Sequence, residues 1–186
     1  MRSDIVAATL LNPPAAPGKS TVPGESTAMD DFDDLYAAHF HGLTVQLYAY
    51  FGDRHEAQDV VQEAFCRAYA RWAELSRYED PVAWVRRVAW NLATSRWRRI
   101  RTARRHLGLV REEYASEPSP DRVALAAALA TLPPAQRSAV ILHYLAGLSV
   151  AEVAEQAGVP VGTVKSWLSR ARTALAARLT SEVPRA

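Results

Sequence analysis

The chain has 186 residues, with 22 basic and 20 acidic side chains, and its net charge is +2. Apolar residues make up 49% of it, which excludes an intrinsically disordered chain, and its length allows one ordinary domain or two small ones. The single cysteine, Cys66, excludes an intramolecular disulfide and a cysteine-rich zinc site, so a reducing compartment is the simplest interpretation. No apolar run approaches the ~18–20 residues that a membrane span needs, and we expect no membrane insertion.

Charge is distributed in blocks along the chain. Residues 30–80 hold 4 basic and 11 acidic residues, residues 81–111 hold 9 arginines and no acid, and residues 136–186 hold 6 basic and 3 acidic residues. This pattern predicts that different faces of the molecule meet different partners.

Residues 1–29 are predicted to form an N-terminal tail, because prolines interrupt any helix there. A faint likeness of the first residues to a signal peptide is outweighed by the basic blocks downstream, which fit a nucleic-acid partner better. Met29 stands directly before the first patterned segment, so it is an alternative translation start, and the sequence leaves open whether the tail is made.

From residue 30 onward, apolar residues recur at helical spacing and no alternating β pattern appears, which predicts an all-α fold. We expect two small helical domains, residues 30–107 and 121–182, joined by an acidic, flexible linker at residues 108–120. Each domain has a marginal core, so docking onto a larger partner would help to stabilise it. The predicted helices cover residues 30–51, 56–72, 82–105, 121–132, 134–145, 149–157 and 161–179.

The second domain carries the pattern of a helix-turn-helix. Ser149 and Glu152 have the spacing of a capping box, and Gly158 stands where the turn needs a left-handed backbone. Val164 and Leu168 lie one turn apart and would pack back onto the preceding helix.

The outer arc of the second helix then carries hydroxyl groups and cations suited to base edges and phosphates. An ordinary solvated helix face is the alternative, and Trp167 could instead lie partly in the core. The residues of this arc are Thr163, Lys165, Ser166, Trp167, Ser169, Arg170 and Arg172.

The helix at residues 82–105 is rich in arginine and tryptophan. Residues 86–105 hold eight arginines without one acid, and Trp84, Trp90 and Trp97 are interleaved with them. Cations beside flat aromatic rings are what an unpaired DNA strand needs, and a like-charge cluster of this size is costly unless it meets a polyanion. The alternative is that the tryptophans anchor the core and the arginines solubilise the helix.

An acidic patch is predicted on the helix at residues 56–72, where Asp59, Gln62 and Glu63 share one side. The pattern alone favours an ordinary solvated face. A catalytic pair of carboxylates is a weaker interpretation, because no neighbouring histidine, cysteine or serine completes a site.

Five segments, in order and at matching spacing, resemble the extracytoplasmic-function sigma factors of bacterial RNA polymerase. The likeness is closest to their SigE-like actinobacterial branch, and it extends from about residue 30 to residue 179. The segments are DVVQEAF at 59–65, PVAWVRRVAWNLA at 81–93, LPPAQR at 132–137, GLSVAEVA at 147–154 and PVGTVKS at 160–166.

The resemblance implies a role for each candidate residue. Asp59, Gln62 and Glu63 would dock on the β′ clamp helices of core RNA polymerase, and the chain would also contact the β flap. The loop containing Arg77 and Tyr78 would capture a flipped base of the −10 element. The strand-melting helix would use Trp84, Arg87, Asn91, Ser95 and Arg98. The −35 element would be read by Thr163, Lys165, Ser166, Trp167, Ser169 and Arg170.

The same resemblance implies a transcription-initiation subunit without catalytic residues or cofactor, acting in the cytoplasm on promoter DNA. An anti-sigma factor is a further candidate partner. Thr94 and Ser95 stand where many members carry an aspartate, and Trp167 and Ser169 differ from relatives that carry an arginine and an aromatic residue. Because of these departures, the resemblance does not define the promoter sequence. The regulon and the inducing signal are likewise not defined by the sequence.

Two other functions are alternatives to this one. A conventional helix-turn-helix regulator would explain residues 121–180 but would leave the arginine–tryptophan helix and the acidic patch without roles. A metal-dependent enzyme would use His39, His41 and His55, but histidines two apart on a helix point in different directions.

Overall fold

The computed structural model describes residues 25–107 and 120–182, and every regular element within them is helical. The predicted all-α class is confirmed. Most of the predicted tail and linker, residues 1–24 and 108–119, lies outside the described residues. The α-helices are α1 (Glu25–Phe51), α2 (Arg54–Tyr69), α3 (Trp72–Leu75), α4 (Pro81–Leu107), α5 (Pro120–Ala130), α6 (Pro134–Val140), α7 (Val150–Ala157) and α8 (Val161–Glu182), with a π-helical turn at Ile141–Leu145 between α6 and α7.

Some helix boundaries differ from the predictions. Helix α1 begins at Glu25, inside the predicted tail, because Glu25 favours a helix N-terminus and Ala28 and Met29 are good helix formers. The helix predicted to reach residue 72 ends at Tyr69, and the short α3 follows it.

The helix predicted over 134–145 changes its hydrogen bonding at Ile141. The N–H of Ala146 donates to the carbonyl of Ile141 at 3.0 Å, which is the i to i+5 spacing of a π-helix. The π-helical turn therefore separates α6 from the helix-turn-helix that follows.

The first unit, residues 25–107, is built around the packing of α1 and α4 on α2. Leu47, Val61, Phe65, Val85 and Ala89 are all at most 2% exposed. Val61 and Phe65 belong to the buried face of α2. This packing leaves the acidic side of α2 and the polar side of α4 facing outward.

The second unit, residues 120–182, packs directly against the first. Helix α5 and the π-helical turn lie on α1, and the buried residues of both units form one continuous core. The sequence predicted two small cores that only a tether would join. The structure shows that an interface between the units extends the marginal core of each.

Candidate promoter and polymerase interface

The helix-turn-helix is fixed by its caps. The Ser149 hydroxyl accepts from the Glu152 N–H at 3.2 Å, and the Ser149 N–H donates to the Glu152 carboxylate at 2.7 Å. Gly158 ends α7 with φ 65°, in the left-handed region. Val164 and Leu168 of α8 are buried, as predicted, and they hold α8 at a fixed angle across α7.

The outward side of α8 carries exposed cations. Lys165 and Arg170 are exposed, and neither forms an ion pair with a side chain of the described ranges. Ser166 and Ser169 are also exposed, and the Ser166 hydroxyl donates to the Gly162 carbonyl at 3.0 Å within the helix. This face presents positive charge and hydroxyl groups to solvent.

Two predicted residues of α8 lie elsewhere. Thr163 is half-buried near the start of the helix, and Trp167 is half-buried and packs against the core. The Trp167 ring therefore takes an intermediate place between the two positions that the sequence left open.

The tryptophans of α4 are largely internal. Trp84 and Trp90 are 7% and 3% exposed, while Trp97 is half-buried. Their spacing matches that of Val85 and Ala89, so they extend the apolar stripe of the helix. Trp84 and Trp90 therefore anchor α4 in the core and offer little ring surface to a DNA base.

The polar side of α4 carries the other predicted residues. Arg98 is exposed, and Arg87, Asn91 and Ser95 are half-buried. Arg87 donates to the carboxylate of Glu155 in α7 at 2.7 Å, across the interface between the units. The predicted strand-binding residues thus share one helix, but not one environment.

The loop before α4 is tied to its neighbours. The Tyr78 hydroxyl donates to the Glu74 carboxylate at 3.0 Å, and partial burial together with this bond raises the pKa of the Tyr78 phenol. Asp80 accepts from the Ala83 N–H at 2.9 Å and so caps α4. Arg77 is exposed at the tip of the loop.

The acidic patch of α2 lies beside the basic helix. Asp59 accepts from Arg96 of α4 at 3.1 Å, Glu63 pairs with Arg67 at 2.8 Å, and Gln62 is exposed. Exposed pairs of this kind contribute little to stability, about 0–1 kcal/mol, so an external cation can compete for the carboxylates. The three predicted residues do form one accessible surface.

Two residues to which the sequence assigned no individual role take part in this architecture. Arg96 joins α4 to α2 through Glu56 and Asp59. Arg137 is buried between the two units. For Arg137 the sequence contains one signal. This arginine closes the LPPAQR segment, three positions after Pro134, the first residue of α6.

The residues described by the structure contain no group of three or more histidine, cysteine or acidic side chains that could hold a metal ion. Across those same residues, no helix combines the length and the apolar character that crossing a membrane requires.

Comparison with known proteins gives matches for both units. Residues 35–105 match the family "Sigma-70 region 2", and residues 122–175 match "Sigma-70, region 4". The chain is 31% identical over 166 residues to the ECF RNA polymerase sigma factor SigE of Mycolicibacterium smegmatis, a match that covers 82% of this chain and 63% of that relative. It is 37% identical over 123 residues to the RNA polymerase sigma-E factor of Streptomyces coelicolor, covering 62% of this chain and 67% of that one.

A solved structure shares the arrangement of helices. The sigma factor RpoE of Bartonella quintana, in complex with the anti-sigma factor NepR, matches with a TM-score of 0.70 and 26% identity, over 83% of this chain and 99% of that chain. Both sigma-70 regions occur here in the order and with the helix-turn-helix that the geometry shows. The chain therefore belongs to the extracytoplasmic-function family of RNA polymerase sigma factors.

Proposed function

We propose that this chain joins core RNA polymerase, contacts the −10 and −35 elements of promoters with separate helices, and promotes melting of the DNA. The observation that carries the proposal is the face of α8, where Lys165 and Arg170 are exposed cations on the second helix of a capped helix-turn-helix. That is the position from which such a motif contacts the major groove.

The −35 element is read by this face. Lys165 and Arg170 neutralise phosphates or reach base edges, and the hydroxyl groups add contacts that depend on the local geometry. Half-buried Trp167 and Thr163 flank the face and set how deeply the helix enters the groove. The contacting set is Thr163, Lys165, Ser166, Trp167, Ser169 and Arg170.

The −10 element is bound by α4 and by the loop before it. Arg77 and Tyr78 receive a base that leaves the stack, while Arg87, Asn91, Ser95 and Arg98 hold the separated strand. Extruding a base costs a few kcal/mol, which these contacts offset. Trp84 supports α4 from the core side, since its ring is 7% exposed.

Binding to the polymerase uses the opposite charge. Asp59, Gln62 and Glu63 dock on the β′ clamp helices, and the second unit contacts the β flap. Holding both DNA-binding units on one large enzyme raises the effective concentration of the second contact once the first has formed. Two units that each bind DNA weakly thereby select one promoter together.

RNA synthesis remains the work of the polymerase, so this chain contributes binding and strand separation without catalytic residues or a cofactor of its own. We infer that it acts in the cytoplasm, where the polymerase and the chromosome are. The solved relative from Bartonella quintana is bound to an anti-sigma factor. We propose a protein of that class as a further partner.

Run-off transcription tests the proposal directly. The purified chain is mixed with core RNA polymerase and genomic fragments, and the transcript start sites are mapped and aligned. We expect start-site-specific transcripts that core enzyme alone does not produce. Tight binding to duplex DNA by the unaided chain, without such transcripts, would instead indicate a conventional helix-turn-helix regulator.

A further inference from the structure

A cavity of about 550 Å³ lies where the two units meet. Helices α1 and α4 supply its walls on the first unit, and α6, the π-helical turn, α7 and α8 supply them on the second. Its volume is within the range of ~300–1,000 Å³ that is typical of small-molecule sites. The cavity is therefore large enough for an organic ligand of two or three rings.

The walls of this cavity present flat, apolar surfaces. Tyr50, Trp90 and Trp97 come from the first unit, and Trp167 and Pro134 come from the second. The Tyr50 ring packs edge-to-face on the rings of Trp90 and Trp97, with centres 5.3 and 5.9 Å apart. Because aromatic rings stack on each other or meet edge to face, walls of this kind favour a planar aromatic ligand.

Arg137 holds two of these wall residues in place. Its guanidinium donates to the carbonyl of Tyr50 at 2.8 Å, and its central carbon is 4.8 Å from the centre of the Trp97 ring, where the ring quadrupole attracts a cation. On its own unit it donates to the carbonyls of Ala130 and Leu132 at 2.7 and 3.2 Å. Arg137 is only 2% exposed, so its own position is fixed by these partners. The cavity is thus preformed by contacts within the chain.

Four hydrogen-bond donors of the cavity walls have no partner. The indole nitrogens of Trp90 and Trp97 and the amide nitrogens of two further residues are buried without a hydrogen bond to the described residues; the amides belong to Asn91 and Gln156. Trp90 as a whole is only 3% exposed. An indole nitrogen can only donate, and leaving a buried donor unpaired is costly. The four nitrogens therefore favour a ligand that carries acceptor atoms.

The phenol of Tyr50 adds a fifth donor. Its oxygen is also buried without a hydrogen bond to the described residues, and burial raises the pKa of Tyr50 to about 12. The phenol consequently keeps its proton at neutral pH and donates in the same way as the four nitrogens.

The charge beside the cavity favours an anion. Arg98 and Arg101 of α4 line it, are exposed, and form no ion pair with a side chain of the described ranges. The described residues that line the cavity include no acid. A guanidinium binds a planar carboxylate through two parallel hydrogen bonds. A carboxylate on the ligand would thus supply both the acceptors and the charge that these walls lack.

We propose that the cavity between the units is a binding site for a small planar aromatic carboxylate. Its oxygens accept from the unpaired nitrogens of the walls, its rings lie against the tryptophans, and its charge is met by Arg98 and Arg101. The site stands on the cavity alone and does not depend on the roles proposed above for α4 in DNA binding.

Proton–nitrogen NMR spectra of the full-length chain test the site directly. The chain has five tryptophans, so five indole N–H signals are expected, and Trp90→Phe and Trp97→Phe identify two of them. The probe is 2-naphthoate. We expect both assigned signals to move downfield, because an N–H that gains an acceptor is deshielded. The signals of Trp72 and Trp84, which do not line the cavity, should stay in place.

Two further probes test the chemical class of the ligand. 2-Naphthylmethanol keeps the rings but has no charge, and it should bind about fivefold more weakly, since hydrogen bonds to charged groups are the stronger ones. Equal affinity would overturn the assignment of an anion. Shifts with thymidine 5′-monophosphate and none with 2-naphthoate would show that the cavity takes a nucleotide instead. No shift with any probe would mean that it holds water only, and would refute the proposal.

A substitution that fills the cavity tests its location. Ser138 is half-buried and lines the cavity, so Ser138→Phe should abolish the shifts caused by 2-naphthoate. Ser76 is exposed and does not line it, and the matched Ser76→Phe should leave the shifts unchanged.

A milder pair of variants keeps the test independent of any misfolding by Ser138→Phe. Arg101→Gln removes an exposed cation of the cavity edge and should weaken 2-naphthoate about two- to fivefold. Arg99→Gln makes the same change in charge at an exposed position of α4 that does not line the cavity, and its affinity should be unchanged. Unaltered binding in both Arg101→Gln and Ser138→Phe would place the ligand elsewhere and overturn the site. None of these measurements uses polymerase or DNA, so they decide the site even where run-off transcription fails.

Discussion

At the scale of single residues, Lys165 and Arg170 offer the sharpest test of the −35 contact. Alanine at either position should weaken binding of the assembled polymerase to −35 duplex, because the substitution removes a cation that forms no ion pair with the described part of the chain. A lost phosphate contact reduces the slope of log affinity against log salt by about 0.9, and a lost base contact costs about 1–3 kcal/mol. Association with core polymerase, measured by pull-down, should stay intact, and its loss would contradict the assignment.

Asp59 and Glu63 are the residues through which attachment to the polymerase can be tested. Replacing both by arginine should release the chain from core enzyme, since the patch would repel a surface that now attracts it. Both carboxylates belong to exposed pairs, so the fold should tolerate the change. Size-exclusion chromatography with core polymerase provides the measurement.

The matched control for this experiment replaces Asp33 and Asp34 of α1 by arginine, which makes the same change in net charge at exposed positions. We expect this variant to stay bound. Release of both variants would show that total charge, and not the patch on α2, governs the association.

Substitutions at Trp84 and Asn91, which both belong to α4, distinguish a contribution to the fold from a contribution to DNA melting. Trp84→Ala should lower the free energy of unfolding by about 3–5 kcal/mol, because a buried ring is removed from the core. Asn91→Ala should leave the melting temperature nearly unchanged and reduce open-complex formation, read as permanganate reactivity of thymines. Normal reactivity with Asn91→Ala would remove this residue from the strand-binding set.

The positions of these residues could be predicted only in part from sequence. Periodicity identified the acidic side of α2, since Asp59 and Glu63 are four apart and opposite to buried Val61. It could not decide whether Trp84 faced DNA or the core, because arginine and tryptophan alternate along α4 and both interpretations use the same spacing. Packing against α2 and α1 decided the matter in favour of the core.

At the scale of elements, the capping box of α7 has a consequence for stability at different pH values. Hydrogen bonds from Ser149 lower the pKa of the Glu152 carboxyl. A carboxyl with a lowered pKa adds stability above its unfolded pKa, about 4.3, and this stability is lost as pH falls through the folded value. Glu152→Gln should therefore lower the melting temperature at neutral pH, and the difference from the unsubstituted chain should shrink as pH falls below about 4.3 and vanish below the folded pKa of Glu152.

Ser149→Ala serves as the companion variant, since it removes the hydroxyl but keeps the backbone N–H that bonds to Glu152. It should reduce the pH dependence only in part. A pH profile unaffected by either change would show that the capping box does not stabilise α7 in solution.

The helix-turn-helix was predictable in detail because the interactions that define it are local. Ser149, Glu152 and Gly158 act within a few residues of each other, and the structure confirms all three. The π-helical turn was not foreseen, because the apolar spacing at residues 134–145 fits an uninterrupted α-helix.

At the scale of the whole molecule, Arg137 should make the two units unfold as one. Arg137→Met removes three hydrogen bonds to carbonyls and leaves those oxygens buried, and we expect a loss of about 3 kcal/mol. Calorimetry should then resolve two transitions in place of one. A single transition in the variant would mean that the apolar contacts between α5 and α1 couple the units by themselves.

The contact between the units could not be predicted from the sequence. Each half has its own periodic helices, and an acidic segment between them favours separate modules. One polar contact of the interface comes from an arginine that reaches a main-chain carbonyl 87 positions away in the chain, and residue types do not reveal which carbonyl will accept such a bond.

The π-helical turn at Ile141–Leu145 has a geometric effect on everything that follows it. A single π turn acts as one extra residue in a helix, and one residue corresponds to about 100° of rotation about the axis. Shortening the turn by one residue would swing the following motif by roughly a quarter of a circle relative to α6. The length of this π-helical turn therefore determines the direction in which α7 and α8 face relative to the first unit.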